Sequence, residues 1–342
     1  LDEYASYWSK VLTLFPAPDI VHIHGTEFPY GMSYIKAYGN HNVVISIQGL
    51  VSVIERYYRS GIDTCQILRN YTLRDVVRGG IFEQEKRYLR AGKIEKDYIC
   101  KVSYVIGRTE WDRAHVYSLN PNVSYNICNE TLRDAFYDCQ WSYSQCRRYT
   151  IQCPASSSPI KGLHILLKAL RIVKRHCPKV LLKIPGQNLH ADAPIWQRLR
   201  LTGYEKYIKK LIKWYGLEEN VKFIGVLNEI EMASELMKAH VFVCPSSIEN
   251  SSNSLCEAQL MGVPCIASIA GGAMTIVKHE CTGLLYRFEE YEQLAFYILK
   301  MFNDEYFAKK MSKGGREEAQ RRHCKENNIK QLIAIYKTIT HR

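Results

Sequence analysis

The sequence lacks any apolar run long enough to cross a membrane, and it lacks the Cys-x-x-Cys spacing typical of zinc and dithiol sites. Its twelve cysteines are scattered, and several lie in apolar runs, a pattern that indicates reduced thiols packed as small hydrophobic side chains. We therefore expect a cytoplasmic protein without a disulfide framework. Any contact with a membrane is expected to be peripheral.

Acidic residues are few relative to basic ones. The chain has 34 Asp and Glu against 46 Lys and Arg, a formal net charge of +12. This excess favours anionic partners, such as nucleotide diphosphates, lipid phosphates or an anionic membrane face. No recognisable nucleic-acid-binding module accompanies the charge, so nucleic acid is not an expected partner. About half of the excess is explained by solvated helical faces, including residues 206–213 and 309–325.

Short β-branched runs alternate with helical segments throughout the chain, which predicts an α/β fold with parallel sheets covered on both faces. The predicted strands are 19–24, 43–48, 104–107, 123–128, 149–152, 180–184, 221–224, 239–244 and 264–268. Residues 129–148 show no clear period and are predicted to be a linker. We expect two Rossmann-like domains facing a cleft, at 1–145 and 146–320, with a C-terminal helix at 321–342 packing back toward the first.

Two glutamates eight positions apart, Glu249 and Glu257, flank a helix start predicted near Ser252 or Asn253. A glycosidase pair would need carboxyl groups about 5 to 9 Å apart. Eight helical residues rise about 12 Å, and a loop intervenes, so the spacing does not imply that geometry. The acids could instead position a ligand, or be a solvated loop residue and a helix-surface acid. The pair alone leaves these interpretations open.

The longer segment from Cys244 to Gly272 reads CPSSIENSSNSLCEAQLMGVPCIASIAGG, and Thr282-Gly-Leu-Leu-Tyr follows it. It resembles the signature of the retaining GT-B glycosyltransferases of group 1, with Pro-Ser, E-x7-E, a Gly-x-Pro strand, a Gly-Gly turn and a late G-x-L. Residues 47–50, 107–112 and 159–162 resemble the branch that acts in bacterial polysaccharide biosynthesis. The resemblance implies transfer of a sugar from a UDP-, GDP- or ADP-linked donor to a glycan or lipid-linked acceptor, with retention and without metal or cofactor.

The resemblance also implies roles for individual residues. Glu249 would bind donor-sugar hydroxyls, Lys161 the diphosphate, Glu257 the ribose diol, and Gln48 the reacting region from the first domain. The remaining donor-site residues expected are the helix start, the Gly-Gly turn and two strand-end glycines: Ser252, Asn253, Ser254, Leu255, Gly271, Gly272, Gly186 and Gly225. Gly186 and Gly225 could equally be turn glycines without a role in ligand binding. Judged from its local sequence alone, Lys161 could be a surface lysine at a helix start.

Three features depart from the family pattern. Gln48 stands where much of the family has a histidine, and an amide cannot titrate near neutral pH, so we expect a front-face substitution in which the leaving phosphate takes the acceptor proton. Ala155 and Ser156 occupy the positions where many members carry an arginine. The usual opening strand and glycine-rich loop of the first domain are missing. We expect a fragment of a longer protein or a decayed copy.

The acceptor side is predicted to include His24, Glu27, Arg108 and Glu110, which follow strands of the first region. Arg108 and Glu110 could equally belong to a surface cluster at a strand end. His22 and His24 lie on one strand face and could share a metal, but no third ligand is near them in the sequence, so none is expected.

Two other functions remain open at this point. The first is an inactive homologue that binds a nucleotide sugar without turning it over, which the missing arginine and glycine-rich loop favour. The second is a GT-B epimerase or phosphorylase. A phosphorylase would need a lysine-held pyridoxal cofactor, and an epimerase acid/base side chains, for which the sequence offers no clear counterpart.

Overall fold

The structure is a computed structural model that describes residues 2–186 and 201–340. The strands are β1 (Val21–His24), β2 (Val43–Ser46), β3 (Tyr104–Gly107), β4 (Ser124–Ile127), β5 (Thr150–Gln152), β6 (Leu181–Ile184), β7 (Val221–Phe223), β8 (Val241–Cys244), β9 (Cys265–Ser268) and β10 (Leu284–Tyr286). The nine strands predicted from the sequence are all present, with ends that differ by at most two residues.

Helices connect the strands, singly or in groups. They are α1 (Asp2–Leu12), α2 (Tyr30–Tyr38), α3 (Val51–Tyr57), α4 (Thr64–Asn70), α5 (Leu73–Arg78), α6 (Ile81–Lys101), α7 (Glu110–Leu119), α8 (Ala135–Asp138), α9 (Leu163–His176), α10 (Gly203–Trp214), α11 (Glu229–Lys238), α12 (Asn253–Leu260), α13 (Ala273–Ile276), α14 (Tyr291–Asn303), α15 (Glu305–Arg322) and α16 (Lys325–Thr340). Within the described residues, no helix is both long and apolar enough to span a bilayer.

The first compact unit comprises residues 1–56, 85–131 and 323–342. Its sheet is parallel throughout, in the order β1-β2-β3-β4. The central strand β2 is buried at all four positions, as a strand covered on both faces should be. Helix α16 lies on this sheet, where Ile335 and Ile339 pack against Val44 and Ile106.

The second compact unit comprises residues 57–84 and 132–322. Its six-stranded parallel sheet has the order β10-β9-β8-β5-β6-β7. Helices α9, α10 and α14 contribute to the core on one face, and α8, α11 and α12 to the core on the other. The chain runs outward from β5 to β7 and then returns to place β8 beside β5. This reversal creates a crevice at the carboxyl ends of β5 and β8, where open α/β sheets bind their ligands.

The segment predicted as a linker is mostly part of a core. Leu132, Phe136, Trp141 and Cys146 are buried in the second unit, and residues 135–138 form a helical turn. Residues 57–84 also cluster with that unit, although the predicted domain boundary assigns them to the first domain. Because these residues pack against elements far away in sequence, their irregular spacing carries no local signal of burial. The units therefore differ from the predicted domains at 57–84 and 132–145.

Candidate functional site

The loops that follow β5 and β8 meet at the switch point of the second sheet. Lys161 ends a single 3-10 turn, and Gly162 adopts a left-handed conformation (φ +68°) before α9 begins. A Cβ atom on Gly162 would lie 1.7 Å from the carbonyl oxygen of Pro245. The Ser247 amide donates to the Ile160 carbonyl at 2.8 Å. Only glycine fits this contact, which fixes the two loops against each other.

This packing brings Lys161 and Glu249 together. Lys161 Nζ lies 2.5 Å from Glu249 Oε1, and Ser246 Oγ donates to the same oxygen at 2.8 Å. The lysine side chain is one-third exposed and the glutamate 17% exposed, so a ligand can reach both groups. An ammonium beside a carboxylate and a helix start can hold a diphosphate and hydroxyl groups at adjacent points. The sequence predicted both residues.

The Gly-Gly turn after β9 packs against the backbone of Glu249. Gly271 has φ +54°, and a Cβ there would lie 1.9 Å from the Glu249 carbonyl oxygen. The Gly272 amide donates to that oxygen at 2.9 Å. Glycine is therefore required at position 271 by close contact with the Glu249 backbone. From the sequence we expected glycine there because of close approach of the donor sugar.

The start of α12 completes this part of the crevice. Ser252 is its N-cap and makes no side-chain cap hydrogen bond, which leaves backbone amides of the first turn available to an anion. Asn253 is exposed and Ser254 partly exposed, as a ligand-facing helix start requires. The Leu255 side chain is instead packed in the core, so only its backbone can serve a ligand. Beneath the loop, burial raises the pKa of the Cys244 thiol, and the Glu249 carboxylate raises it further.

Glu257, the second acid of the pair, is closed off by a residue that the sequence analysis missed. Arg133 donates from Nε to Oε1 and from Nη2 to Oε2, both at 2.9 Å. The carboxylate side chain is 6% exposed, whereas that of Arg133 is 46% exposed. The guanidinium lies 4.6 Å from the centroid of the buried Phe136 ring. Glu257 was expected to offer a free carboxylate to a ribose, but both of its oxygens accept from Arg133.

The two strand-end glycines are neighbours. Gly186 and Gly225 follow β6 and β7, have φ of +110° and +76°, and are joined by a 2.7 Å hydrogen bond from the Gly186 amide to the Gly225 carbonyl. They border the same edge of the sheet as Lys161 and Glu249. Their left-handed backbone alone accounts for glycine at both positions.

In the first unit, four polar side chains gather at the carboxyl ends of the strands. Arg108 is 5% exposed and forms an ion pair with Glu130, and Gln48 Nε2 donates to Glu130 Oε1 at 3.1 Å. The Glu27 carboxylate folds over Gly25, where a Cβ would lie 2.1 Å from Oε2. Glu130 is a further member of this group that the sequence analysis did not identify. It satisfies the buried Arg108, which is therefore not a surface cation.

Two of the predicted acceptor-side residues lie apart from this network. Glu110 is the first residue of α7, is 67% exposed and pairs with Arg113 at 3.5 Å, as an acid in a first helical turn should. The Thr109–Asp112 capping box begins α7 at this point, and the acceptor-side role of Glu110 stays a prediction. His24 is exposed and stacks on His22, whose ring nitrogens contact Tyr336 Oη at 2.5 Å and Ser46 Oγ at 2.6 Å. Burial, followed by the charge of His24, lowers the pKa of His22 to about 4.

Solved structures share this architecture along nearly the whole chain. Sucrose-phosphate synthase from Thermosynechococcus elongatus superimposes with a TM-score of 0.73 at 18% identity, covering 98% of this chain and 77% of that one. HepE of Anabaena, solved in complex with UDP-glucose, gives 0.70 at 19% identity, with 98% and 82% covered. At these identities the likeness shows the fold, which is GT-B.

Among curated proteins, the chain is 24% identical over 178 residues to the uncharacterized glycosyltransferase MJ1607 of Methanocaldococcus jannaschii, covering 52% of this chain and 42% of the relative. It is 27% identical over 177 residues to a GDP-mannose-dependent monoacylated phosphatidylinositol monomannoside mannosyltransferase of Corynebacterium glutamicum, covering 50% and 42%. The chain thus spans less than half the length of these relatives. The profile of the glycosyl transferases group 1 matches residues 147–318, which is half of the chain and most of the unit that holds Lys161, Glu249 and Glu257. The chain belongs to the glycosyl transferases group 1 family.

Proposed function

We propose that the protein transfers a sugar from a nucleotide-diphosphate donor to a glycan or lipid-linked acceptor with retention of configuration, as part of cell-surface polysaccharide biosynthesis. The observation that carries the proposal is the contact between Lys161 and Glu249 at the switch point of the sheet. UDP and GDP sugars are the first donors to test, since HepE was solved with UDP-glucose and the mannosyltransferase relative depends on GDP-mannose.

In this proposal the donor diphosphate takes the place of the Glu249 carboxylate as the main partner of Lys161. Glu249, released from the lysine but still bonded to Ser246, accepts hydrogen bonds from sugar hydroxyls and stabilises the positive charge that develops at the anomeric carbon. The free amides at the start of α12 supplement the lysine, because Ala155 and Ser156 supply no cation. The acceptor hydroxyl attacks from the face that the diphosphate leaves, and the departing phosphate oxygen takes its proton. Gln48 is assigned a positioning role through hydrogen bonds, because its amide does not titrate.

The ribose diol is proposed to bind Glu257. Both carboxylate oxygens face Arg133, and the remaining surface of the side chain is covered by protein. The diol can therefore reach the carboxylate only from the side of Arg133, whose side chain is 46% exposed and would have to swing aside. Binding of the donor and release of Arg133 are coupled in this scheme. The enzyme is proposed to act in the cytoplasm, with peripheral contact to the membrane.

The test combines binding with turnover. A thermal-shift panel of UDP, GDP and ADP sugars should single out one nucleotide, because a ligand at 100 times its Kd stabilises the folded state by about 2.7 kcal/mol. Lys161→Ala and Glu249→Gln should each lose most of that shift, whereas Lys313→Ala, a lysine 80% exposed on α15, should keep it. A panel in which no nucleotide raises the Tm of the full-length protein contradicts the proposal.

A second candidate function is an inactive homologue that binds nucleotide sugars. The observation that favours it is the closed Arg133–Glu257 pair, together with the missing cation at Ala155 and Ser156. It predicts a thermal shift with the cognate nucleotide but no release of nucleoside diphosphate with any acceptor. Release of nucleoside diphosphate by the wild type that disappears in Glu249→Gln would exclude it.

A further inference from the structure

Helix α5 of the second unit exposes its apolar face. Leu73, Val76 and Val77 lie at i, i+3 and i+4, so they share one side of the helix, and they are 74%, 71% and 81% exposed. Leu68 on the neighbouring α4 is 58% exposed. A short helix of a soluble protein normally buries such a stripe, so this face requires a specific explanation.

The opposite side of α5 explains why the stripe faces outward. Asp75 is 2% exposed, closes a capping box with Thr72 and accepts from the Gly203 amide at 2.8 Å. Thr72 Oγ1 also donates to the Leu201 carbonyl at 2.9 Å. The helix is thus attached to the start of α10 through buried polar groups, and the apolar residues are left on the outside.

Basic side chains border the stripe. Arg74 and Arg78 are one turn apart on α5, and Arg69 lies in the last turn of α4. Lys206 and Lys210 of α10 donate to the carbonyls of Tyr71 at 3.3 Å and Arg69 at 3.4 Å, which places both ammonium groups beside the link between α4 and α5.

The local charge is one-sided. Segments 64–82 and 201–214 contain seven basic residues, namely Arg69, Arg74, Arg78, Lys206, Lys209, Lys210 and Lys213, and two acids. The acids are Asp75 and Glu205, which are both buried as helix caps. The exposed charges within these two segments are therefore all positive, and the exposed acid Asp63, the N-cap of α4, lies immediately before the first segment. We call Leu68, Leu73, Val76, Val77 and these seven basic residues the basic–apolar patch.

We propose that the basic–apolar patch docks the protein on an anionic lipid bilayer, with the aliphatic side chains in the headgroup boundary and the cations against lipid phosphates. A second copy of the chain would bring two positive patches together, which like-charge repulsion disfavours. A nucleic-acid backbone would leave the aliphatic stripe exposed. An anionic bilayer matches both halves of the patch. The patch is the site of the peripheral membrane contact that belongs to the proposed function. The experiment below measures lipid binding and not sugar transfer.

The experiment is co-sedimentation of the full chain with phosphatidylcholine vesicles, with and without about one-third phosphatidylglycerol. The wild type should bind the anionic vesicles at about 0.1 M salt and largely release them at about 1 M, where the Debye length falls from about 10 Å to about 3 Å. Leu73→Glu/Val77→Glu should reduce the partition coefficient on the order of tenfold or more, since it replaces aliphatic contact with charge repulsion. Arg69→Gln/Lys210→Gln should reduce it less and weaken its salt dependence.

The matched control is Val226→Glu/Ile230→Glu, which introduces the same two charges at aliphatic side chains that are 84% and 72% exposed elsewhere on the unit. It should bind vesicles within about twofold of the wild-type level. Equal losses in both double variants, or equal binding to neutral and anionic vesicles, would overturn the proposal. A wild-type dimer that Leu73→Glu dissociates in the absence of lipid would also overturn it. Retention of the nucleotide thermal shift shows that each variant is folded and separates failure of this inference from failure of the proposed function.

Discussion

Replacing Arg133 with alanine leaves the Glu257 carboxylate without its cation in a site where only 6% of the side chain meets solvent. Breaking a fully buried ion pair costs about 3–5 kcal/mol, whereas an exposed pair contributes less than about 1 kcal/mol. The Glu257 side chain is buried like a member of a fully buried pair, whereas Arg133, at 46% exposure, is closer to a member of an exposed pair. We therefore expect Arg133→Ala to lower the free energy of unfolding by about 2 kcal/mol, a Tm decrease of about 4–8 °C for a unit of 150–250 residues.

Thermal and denaturant unfolding of a double-mutant cycle measure this directly. Glu257→Gln should cost less than Arg133→Ala, because it leaves no buried charge. The two changes together should cost less than their sum by about 1–2 kcal/mol. Lys313→Ala serves as the surface control, since its partner Glu317 is 3.9 Å away and both side chains are exposed. If Arg133→Ala is no more destabilising than Lys313→Ala, the assigned ion pair does not exist in solution.

The same variant tests the coupling between Arg133 and the donor. If the ribose diol must displace the guanidinium, Arg133→Ala should tighten nucleotide binding several-fold at equilibrium, although it lowers stability. Arg133→Lys should lie between it and the wild type, because an ammonium cannot bridge both carboxylate oxygens in the same planar geometry. Isothermal titration with the cognate nucleoside diphosphate provides the measurement. Weaker binding by Arg133→Ala would show that the arginine contacts the ligand and does not compete with it.

Two further perturbations follow from the geometry. Gly271→Ala should lower the free energy of unfolding by at least about 1–2 kcal/mol, because the backbone there is left-handed, and it should displace Glu249. Donor binding and Tm should therefore fall together. Gly272→Ala, at φ −80°, is the control, and equal effects of the two variants would contradict the role assigned to the turn. Burial lowers the pKa of His164 to about 4, and its ring bonds to the Ser60 carbonyl at 2.9 Å. Because the unfolded state takes up this proton first, stability should be fully present above about pH 6.5 and fall between pH 6.5 and 4, by up to about 1.4 kcal/mol per unit. Unfolding curves for His164→Gln should show a shallower decline; an unchanged slope would contradict the assignment.

The strands were predictable because each is a short β-branched run between turn residues, and this pattern is local. The pairing of Lys161 with Glu249 could be expected only through the family resemblance. Nothing in the separate segments shows that β8 returns to lie beside β5, yet that return brings the two loops into contact. Sequence order therefore gave the elements, and tertiary packing decided which of their ends meet.

The residues that sequence analysis missed share one property, which is a partner far away along the chain. Arg133 and Glu257 are 124 positions apart, and Arg133 lies in a segment whose burial follows no helical or strand period. Glu130 likewise has meaning only once Arg108 and Gln48 are known to be neighbours. Glu110 differs from these residues, because its position at the start of α7 follows from a local signal, the Thr109–Asp112 capping box.

The chain passes between the two units four times, near residues 56, 84, 131 and 322. During synthesis, residues 57–84 emerge long before the sheet that they pack against, and the β2–β3 face of the first sheet stays uncovered until Ile335 and Ile339 arrive. The second unit can complete its core only after α15 has been synthesised, and the first unit only after α16. Expression of residues 147–318 alone, the stretch that the family shares, would omit Ile62, Ile67 and Phe136 from the two cores. We expect that fragment to aggregate during its own translation.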